Sequence, residues 1–400
     1  MSKVAVLGYG TVGSGVVQVL TENRSIITKK AGEPVEVARV LDLRDFPGDP
    51  VESVLTHEFT DIENDPAIDV VVETMGGTKP AYDFVKRCLL KKKSVCTSNK
   101  ALVAAHGTEL IRIAREQGVH FFFEASVGGG IPILRPLNRC LVADELLSIC
   151  GILNGTTNYI LTKMAEDGSD YGEVLKEAQA LGYAEADPTA DVEGHDTCRK
   201  IAILTALAYG AQVDYEDIPT EGITGITGVD IEYALKAGRV IRLLGMSRRE
   251  NGKLYALVAP FMIGPDSPLY SVGGVFNAIS VTGNMLGEVM FYGQGAGKEA
   301  TASAVVTDIV EAVRNRDIPV RIQWDEKKQE IAPKDTMENR FFLRVDAGMR
   351  EQATDLFGVR EFTEGVADGE IGFFTDVMTE AELSAKLDRL GGLKSKIRVI

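Results

Sequence analysis

The most restrictive feature of this sequence is a glycine-rich turn near its start. A compact apolar run at residues 3–7 leads into Gly8-Tyr9-Gly10-Thr11-Val12-Gly13, and a helix-like stretch begins at Thr11. In a G-x-G-x-x-G turn between a strand and a helix, the first glycine makes the turn and the second lets the backbone approach a pyrophosphate. The third lets helix and strand pack closely, and the helix N-terminus offers N–H groups to the anion. The sequence therefore predicts a dinucleotide-binding turn; a simple strand-to-helix turn is the alternative.

The first 126 residues alternate between strand-like and helix-like segments. The predicted strands lie at residues 35–41, 69–73, 94–97 and 119–124, and helical periodicity occurs at 81–90 and 108–116. Alternation of this kind predicts a parallel sheet covered by helices on both faces.

The remainder predicts two further domains. The glycines at 128–130 resemble a hinge, after which strands are expected at 147–153, 254–263 and 288–292 and helices at 172–181 and 198–209. A helix at about 298–316 is expected to pack back on the first domain. The predicted division is 1–130 with that helix, 131–297, a polar linker at 324–338, and 339–400. In the last segment, strands at 340–345, 359–364, 370–377 and 396–400 and helices at 349–357 and 380–390 give the ferredoxin-like order βαββαβ.

Composition excludes several classes of function. The 400 residues include 43 Lys and Arg against 58 Asp and Glu, a formal net charge of −15. A chain this acidic repels nucleic acid and anionic membranes, so we expect neither as a partner. The five cysteines are scattered without a C-x-x-C pair, which favours a reducing, cytoplasmic setting over disulfides or structural zinc. Since no apolar run reaches bilayer length and a strand pattern begins at residue 3, neither a transmembrane span nor a signal peptide is expected.

Polar residues follow three of the predicted strands, at the sheet edge where ligands bind. After the second strand, Asp42 would favour NAD by accepting from ribose hydroxyls, whereas Arg44 would favour NADP by holding a 2′-phosphate; we favour NADP. Thr74 follows the third strand. Lys100 follows the fourth and precedes an apolar helix, so we expect it to face the cleft rather than the solvent.

Residues 178–200 concentrate charge in an irregular loop that leads into a helix. The segment contains Glu185, Asp191 and Asp196 before Lys200. Asp196 and Lys200 are four residues apart, so they lie on one helical face. A surface ion pair in a solvated acidic loop and a cluster that binds a divalent metal are two interpretations. The third is a pocket for an ammonium group beside a lysine that acts as general base.

At every position, residues 178–200 resemble the homoserine dehydrogenase signature A-x3-G-[apolar]-[small]-x2-D-P-x2-D-[apolar]-x-G-x-D-x3-K. Segments 8–13, 97–100, 124–132 (EASVGGGIP), 151–161 (GILNGTTNYIL) and 293–308 are similar to the same family in the same order. The resemblance covers about residues 1–320. The tail 339–400 resembles an ACT regulatory domain more loosely, because its first strand is followed by Asp346-Ala347-Gly348-Met349 without the usual proline. The resemblance implies an α/β fold with a Rossmann-type parallel-sheet domain, an α+β substrate and dimerisation domain, and a C-terminal ferredoxin-like (ACT) domain.

The resemblance also implies an activity and a set of site residues. The family interconverts homoserine and aspartate 4-semialdehyde with NAD(P), in threonine and methionine biosynthesis. By resemblance Lys200 is the acid/base, Asp196 orients the substrate, and Lys100 shares the proton-transfer role between nicotinamide and substrate. The remaining implied substrate contacts are Glu185, Asp191, Gly155 and Thr156. The implied cofactor contacts are Gly8, Tyr9, Gly10, Thr11, Val12, Gly13, Arg44, Thr74, Lys100 and Gly297.

Three further properties are implied. A monovalent cation, usually Na⁺, is expected on the turn after the strand that ends at Glu124, with the Glu124 carboxylate and the carbonyls of Val127, Gly129 and Ile131 as ligands; a plain glycine hinge is the alternative. A homodimer or homotetramer is expected, with threonine as the usual effector. The rival functions are an amino-acid dehydrogenase acting on C–N bonds, which would lack the 178–200 pattern, and a non-catalytic NADP-sensing regulator, which would not need Lys200 or Asp196.

Overall fold

The computed structural model describes residues 1–318 and 321–400. Its strands are β1 (Ser2–Leu7), β2 (Val35–Leu41), β3 (Leu55–Thr56), β4 (Val70–Glu73), β5 (Ser94–Thr97), β6 (Phe121–Phe122), β7 (Leu146–Ile152), β8 (Ala211–Gln212), β9 (Val240–Glu250), β10 (Lys253–Ile263), β11 (Phe276–Gly283), β12 (Gly287–Gln294), β13 (Asp325–Lys328), β14 (Glu338–Asp346), β15 (Glu370–Phe374), β16 (Met378–Thr379) and β17 (Leu393–Val399). Its helices are α1 (Thr11–Glu22), α2 (Arg24–Ala31), α3 (Thr60–Glu63), α4 (Ala81–Leu90), α5 (Lys100–Gln117), α6 (Leu134–Arg139), α7 (Gly155–Asp167), α8 (Tyr171–Ala180), α9 (Thr189–Val192), α10 (His195–Tyr209), α11 (Gly228–Lys236), α12 (Lys298–Arg314), α13 (Arg350–Phe357) and α14 (Glu380–Leu390).

These elements form two compact units. The first comprises Met1–Asp144, Ala202–Tyr215 and Gly293–Gln329, and the second comprises Glu145–Ile201, Glu216–Tyr292 and Glu330–Ile400. The tail from residue 330 therefore packs in the same unit as the acidic segment 178–200. The domain boundaries expected at 130, 297 and 339 stay predictions.

The first unit is built on a parallel sheet of six strands in the order β3-β2-β1-β4-β5-β6. Val4, Ala5, Val6 and Leu7 of β1 are completely buried, as expected for a central strand covered on both faces. From β1 the sheet extends through β2 and β3 on one side and through β4, β5 and β6 on the other. The carboxyl ends of β1 and β4 therefore form the switch point where such sheets bind ligands. The predicted Rossmann-type sheet is confirmed.

The second unit contains a mixed sheet in the order β12-β11-β7-β9-β10-β17-β14-β15. The last strand, β17, pairs in parallel with β10 at Phe261 and Met262 and antiparallel with β14. The strands of residues 339–400 thus continue the sheet that begins with β7 and β9.

The C-terminal segment differs from the predicted βαββαβ order at one strand. The strand predicted at 359–364 is wrong: this stretch contributes a single bridge, from Thr363 to Gly372 on β15. Phe362 instead packs edge-on against Phe373, with ring centroids 5.6 Å apart. The remaining strands have the sheet order β17-β14-β15, and the bridge occupies the position of the missing second strand.

The segment 324–338, predicted to be a polar linker, has a buried apolar residue near each end, and its role as a linker stays a prediction. Trp324 is 2 % exposed; its Nε1 donates to Gln212 Oε1 at 2.9 Å, and Gly107 leaves room for its ring. β13 follows and pairs with β8. Met337 at the other end is 1 % exposed. Most residues between Trp324 and Met337 are charged or polar, so the sequence pattern does not show that these two apolar residues are buried.

Among the described residues, no helix combines the length and the apolar character that crossing a membrane requires.

Candidate active site

A buried ion pair forms the centre of the candidate site in the second unit. Asp196 and Lys200 lie one turn apart at the start of α10, and Lys200 Nζ is 2.7 Å from Asp196 Oδ2. The same Nζ donates to the carbonyl of Leu153 at 2.7 Å. Lys200 is 8 % exposed and Asp196 is 4 % exposed. Burial of two charges is costly unless each is well satisfied, so this pair is not the surface ion pair that the spacing alone allowed.

Asn154 connects the ion pair to the acidic segment. Its Nδ2 donates to Asp191 Oδ1 at 2.7 Å and to Asp196 Oδ2 at 3.0 Å. Its Oδ1 accepts from the backbone N–H of Thr157 at 2.9 Å, which makes it the N-cap of α7. Asn154 lies within the family-like segment 151–161, which by itself implies no role for this residue. The signal was present, because an Asn before a Gly-Thr-Thr helix start is a preferred N-cap.

The two residues that follow Asn154 fix α7 in place. An ideal Cβ on Gly155 would lie 2.8 Å from the carbonyl oxygen of Val275, so this approach requires glycine. The hydroxyl of Thr156 donates to the carbonyl of Tyr183 at 2.6 Å, which attaches the start of α7 to the acidic segment.

Glu185 lies apart from this group. Its side chain is exposed, and its backbone carbonyl accepts from Gln179 Nε2 at 3.0 Å. The described residues therefore bring Lys200, Asp196, Asp191 and Asn154 together, whereas the Glu185 carboxylate lies outside their hydrogen bonds.

The glycine turn in the first unit has the geometry that a pyrophosphate requires. Gly8 has φ +95°, a value that favours glycine. An ideal Cβ on Gly13 would lie 1.9 Å from the carbonyl oxygen of Gly8, whereas one on Gly10 would meet open space. Gly10 is the N-cap of α1 and provides no side-chain cap, so the N-terminal N–H groups around Thr11 and Val12 suit an anion.

Asp42 and Arg44 bind each other at the end of β2. The guanidinium donates to both carboxylate oxygens of Asp42 at 2.9 Å. The backbone N–H of Tyr9 also donates to Asp42, at 2.8 Å. Hydrogen bonds from Arg44 are the main reason why the pKa of Asp42 lies well below its ordinary value. The Asp42 side chain is 8 % exposed, whereas that of Arg44 is 61 % exposed, so the arginine is the group that a ligand can reach.

A buried carboxylate organises the ends of β4 and β5. Glu73 is fully buried, and accepts from the Thr97 hydroxyl at 2.6 Å and the Met75 N–H at 2.8 Å. Burial raises the pKa of Glu73. The neighbouring Asn99 caps α5, whose first residue is Lys100, by accepting from Leu102 N–H at 3.1 Å.

Two further predicted cofactor residues support these turns. The hydroxyl of Thr74 donates to the carbonyl of Gly8 at 2.9 Å, so this side chain contacts the glycine turn itself. Gly297 has φ +121° and is the N-cap of α12, again without a side-chain cap.

The Glu124 carboxylate caps a helix. Its oxygens accept from the N–H groups of Ile133, Leu134 and Arg135 at 2.7, 2.8 and 2.8 Å, at the start of α6. The Glu124 carboxylate thus accepts from the helix N-terminus, and its expected contact with a cation stays a prediction.

Comparisons with known proteins place these features in one family. Residues 8–124 match the family model described as "Homoserine dehydrogenase, NAD binding domain", and residues 132–310 match the model "Homoserine dehydrogenase". A homoserine dehydrogenase of Bacillus subtilis is 41 % identical over 372 residues, 90 % of this chain and 85 % of the relative. The crystal structure of a homoserine dehydrogenase from Thiobacillus denitrificans has a TM-score of 0.92 at 34 % identity, over 100 % of this chain and 98 % of that one. A hyperthermophilic archaeal homoserine dehydrogenase in complex with NADPH has a TM-score of 0.67 at 28 % identity, over 80 % and 99 % of the two chains.

Proposed function

Because this chain belongs to the homoserine dehydrogenase family and is an NAD(P)-dependent oxidoreductase of amino-acid biosynthesis, we propose that Lys200 is its proton-transfer residue. The reaction interconverts L-homoserine and L-aspartate 4-semialdehyde. The observation that carries the proposal is the buried contact of Lys200 Nζ with Asp196. When bound, the nicotinamide supplies the hydride for reduction and takes it up in oxidation.

Lys200 is suited to exchange a proton with the substrate oxygen at C4. In reduction, the ammonium gives a proton to the oxygen of the aldehyde as it becomes a hydroxyl. In oxidation, the neutral amine takes the hydroxyl proton. Leu153 and Asp196 engage two of the three N–H groups of the ammonium, so the third can point at the substrate. The Asp196 carboxylate also holds the Lys200 ammonium in place, with Nζ 2.7 Å from Oδ2.

The carboxylates beside Lys200 suit the amino group of the substrate. Asp191 and Asp196 are bridged by Asn154, which holds two negative charges close enough to share one ammonium. The start of α7 at Gly155 and Thr156 would contribute the remaining contacts. Glu185 joins this set only through a movement of its exposed side chain, and Glu185→Gln tests it through the KM for homoserine.

Replacement of the lysine tests the proposal. Lys200→Ala should lower kcat on the order of 10²–10⁴-fold, the usual contribution of a positioned acid/base, and leave the Kd for NADPH nearly intact. Lys163→Ala is the matched control, because Lys163 forms an exposed pair with Asp167 at the same spacing, 3.1 Å apart. The control should keep wild-type turnover. A Lys200→Ala enzyme within a few-fold of wild type would refute the proposal and leave Lys100 as the candidate.

NADP is the proposed physiological cofactor. The exposed guanidinium of Arg44 suits a 2′-phosphate, and the Asp42 carboxylate is already engaged by Arg44 and by the N–H of Tyr9. The archaeal relative bound to NADPH adds support. Lys100 and Gly297 are proposed to complete the nucleotide site.

A monovalent cation is proposed on the turn at 124–131, held by the Glu124 carboxylate and by backbone carbonyls. Glycines let these oxygens crowd together: an ideal Cβ on Gly128 would lie 2.6 Å from the carbonyl of Ile131, and one on Gly129 would lie 2.4 Å from that of Gly295. The Glu124 carboxylate and the carbonyl oxygens of Val127, Gly129 and Ile131 suit a hard cation such as Na⁺. NaCl should then raise the Tm above that in choline chloride of equal ionic strength.

Self-association and threonine regulation are proposed for the second unit. The edge strand β12 and the turn before it expose Met285, Leu286, Met290 and Tyr292, and exposed apolar residues on an edge favour pairing with another copy. A dimer or tetramer is expected in sedimentation analysis. Residues 339–400 are proposed to take the effector.

A further inference from the structure

We propose that Arg398 and Glu221 are positioning residues for the amino-acid site. Through this ion pair, the last strand of the chain holds the loop at 219–224, which in turn supports the acidic segment next to Lys200. The inference rests on the proposed role of Asp191 and Asp196 in substrate binding.

Arg398 holds Glu221 at two points. Arg398 lies on β17, and its side chain is 2 % exposed. Its two terminal nitrogens donate to the two carboxylate oxygens of Glu221 at 2.7 and 2.9 Å, while Nε donates to Glu380 Oε1 at 2.6 Å. A planar two-point contact fixes distance and orientation together. Glu221 is thereby fixed relative to β17 and to the start of α14.

The ion pair between Arg398 and Glu221 stays charged near neutral pH. Burial opposes ionisation of Glu221, but the hydrogen bonds and charge of Arg398, together with Lys334, outweigh it and lower the pKa of Glu221 to about 2. Glu221 therefore keeps its charge throughout the pH range in which the enzyme would be assayed.

The loop that contains Glu221 lies directly against residues 192–194. The N–H of Ile223 donates to the carbonyl of Val192 at 2.8 Å. An ideal Cβ on Gly222 would lie 2.3 Å from the same carbonyl, and one on Gly194 would lie 3.0 Å from Thr220 Cγ2. The first is a contact with backbone and the second is a contact with a short β-branched side chain, so a displacement of the loop is transmitted to residues 192–194.

Residues 192–194 lie between the two carboxylates of the site. Asp191 precedes them and Asp196 follows them, and Asn154 Nδ2 contacts both side chains. A shift of this short stretch changes the positions of Asp191 and Asp196 relative to Lys200. Misplacement by about 1 Å can cost up to ~10²-fold in rate. The contact between Arg398 and Glu221 therefore acts on the substrate site through the backbone.

Steady-state kinetics of two variants test this inference. Glu221→Ala and Arg398→Met should each raise the KM for L-aspartate 4-semialdehyde on the order of 10-fold, a size common for coupling between sites, with the Kd for NADPH unchanged. The double variant should raise the KM no further than the larger single change, because the residues act as one unit. Lys394→Met is the matched control: it removes a basic residue of the same strand whose ion pair, at 3.0 Å, is with Asp346. Its KM should equal that of wild type.

The outcomes separate positioning from simple stabilisation. A lowered Tm with an unchanged KM in Glu221→Ala would overturn the inference, as would KM effects that add in the double variant. Glu221→Gln keeps one acceptor for the guanidinium and should be intermediate. The Glu221 variants decide the question if Arg398→Met does not fold, because Glu221 is partly exposed. If Lys200→Ala is inactive while Glu221→Ala keeps a normal KM, only the positioning role fails; if Lys200→Ala stays active, the proposed function fails instead.

Discussion

Two lysine–aspartate pairs with the same spacing along a helix differ in how far their side chains are exposed to solvent. Lys200 and Asp196 have side chains 10 % and 6 % exposed, whereas Lys163 and Asp167 have side chains 30 % and 48 % exposed. Both pairs are four residues apart on a helix, so periodicity alone does not distinguish them. The buried pair has given up solvation and keeps a strong local field, which suits proton transfer. The exposed pair is screened by water and contributes little to stability.

Replacement of Arg44 should change the choice of cofactor. Arg44→Ala should weaken NADPH binding by roughly 10- to 100-fold, as loss of a charge-assisted hydrogen bond implies, and should leave NADH binding within a few-fold. The freed Asp42 carboxylate could then accept from ribose hydroxyls. Fluorescence titration with both nucleotides measures the effect, and Arg39→Ala, on the preceding strand β2, is the control. Equal losses for the two nucleotides would contradict the assignment of Arg44 to the 2′-phosphate.

Glu73 should make stability depend on pH. Because burial raises its pKa in the folded state, the protonated carboxyl stabilises the fold below the unfolded pKa, and this contribution is lost as pH rises through the folded pKa. The urea midpoint of wild type should therefore fall from pH 5 towards pH 8 more steeply than that of Glu73→Gln. Glu63→Gln is the control, since hydrogen bonds from Arg87 lower the pKa of Glu63 and its contribution changes only at lower pH. Parallel curves for wild type and Glu73→Gln would disprove this role.

At the scale of elements, the start of α7 combines capping with assembly of the site. The N-cap Asn154 satisfies Thr157 N–H with its oxygen and the two aspartates with its nitrogen. One side chain therefore fixes the helix start and the spacing of the carboxylates.

Two substitutions of Asn154 should separate these roles. Asn154→Ser keeps a capping oxygen but cannot reach the aspartates, so stability should stay close to wild type while the KM for homoserine rises. Asn154→Ala should raise the KM and also cost about 1 kcal/mol from loss of the cap. Thr227→Ala, at the N-cap of α11, should affect stability only. A wild-type KM in Asn154→Ser would show that the amide bridge has no functional role.

At the scale of the whole molecule, the tail is continuous with the sheet of the substrate unit. A chain stopped after Glu338 loses β17, which pairs with β10, and with it Arg398. The deleted residues all belong to the second unit, so NADPH should bind as in wild type. Activity should persist with a KM for aspartate semialdehyde raised as in Arg398→Met, and any response to threonine should vanish. A folded truncated protein without activity would contradict this expectation.

Features that depend on neighbours along the chain can be predicted from the amino-acid sequence. The glycine turn, the strand–helix alternation that gives the parallel sheet, and the one-turn spacing of Asp196 and Lys200 follow from backbone geometry and helical period. The sequence pattern predicts a strand at 359–364, where the chain forms only the single bridge at Thr363 in place of a run of strand hydrogen bonds. The pattern also does not predict β9 or β11.

The long-range contacts between charged and polar side chains depend on the tertiary fold. The pairing of Arg398 with Glu221 spans 177 residues of sequence, and the bridge from Asn154 to Asp196 spans 42. Neither contact leaves a local pattern, because its geometry is set by sheet order and loop packing. Burial likewise decided that the Asp196–Lys200 pair is internal and that the Glu124 carboxylate caps a helix, since solvent exposure is a property of the packed chain.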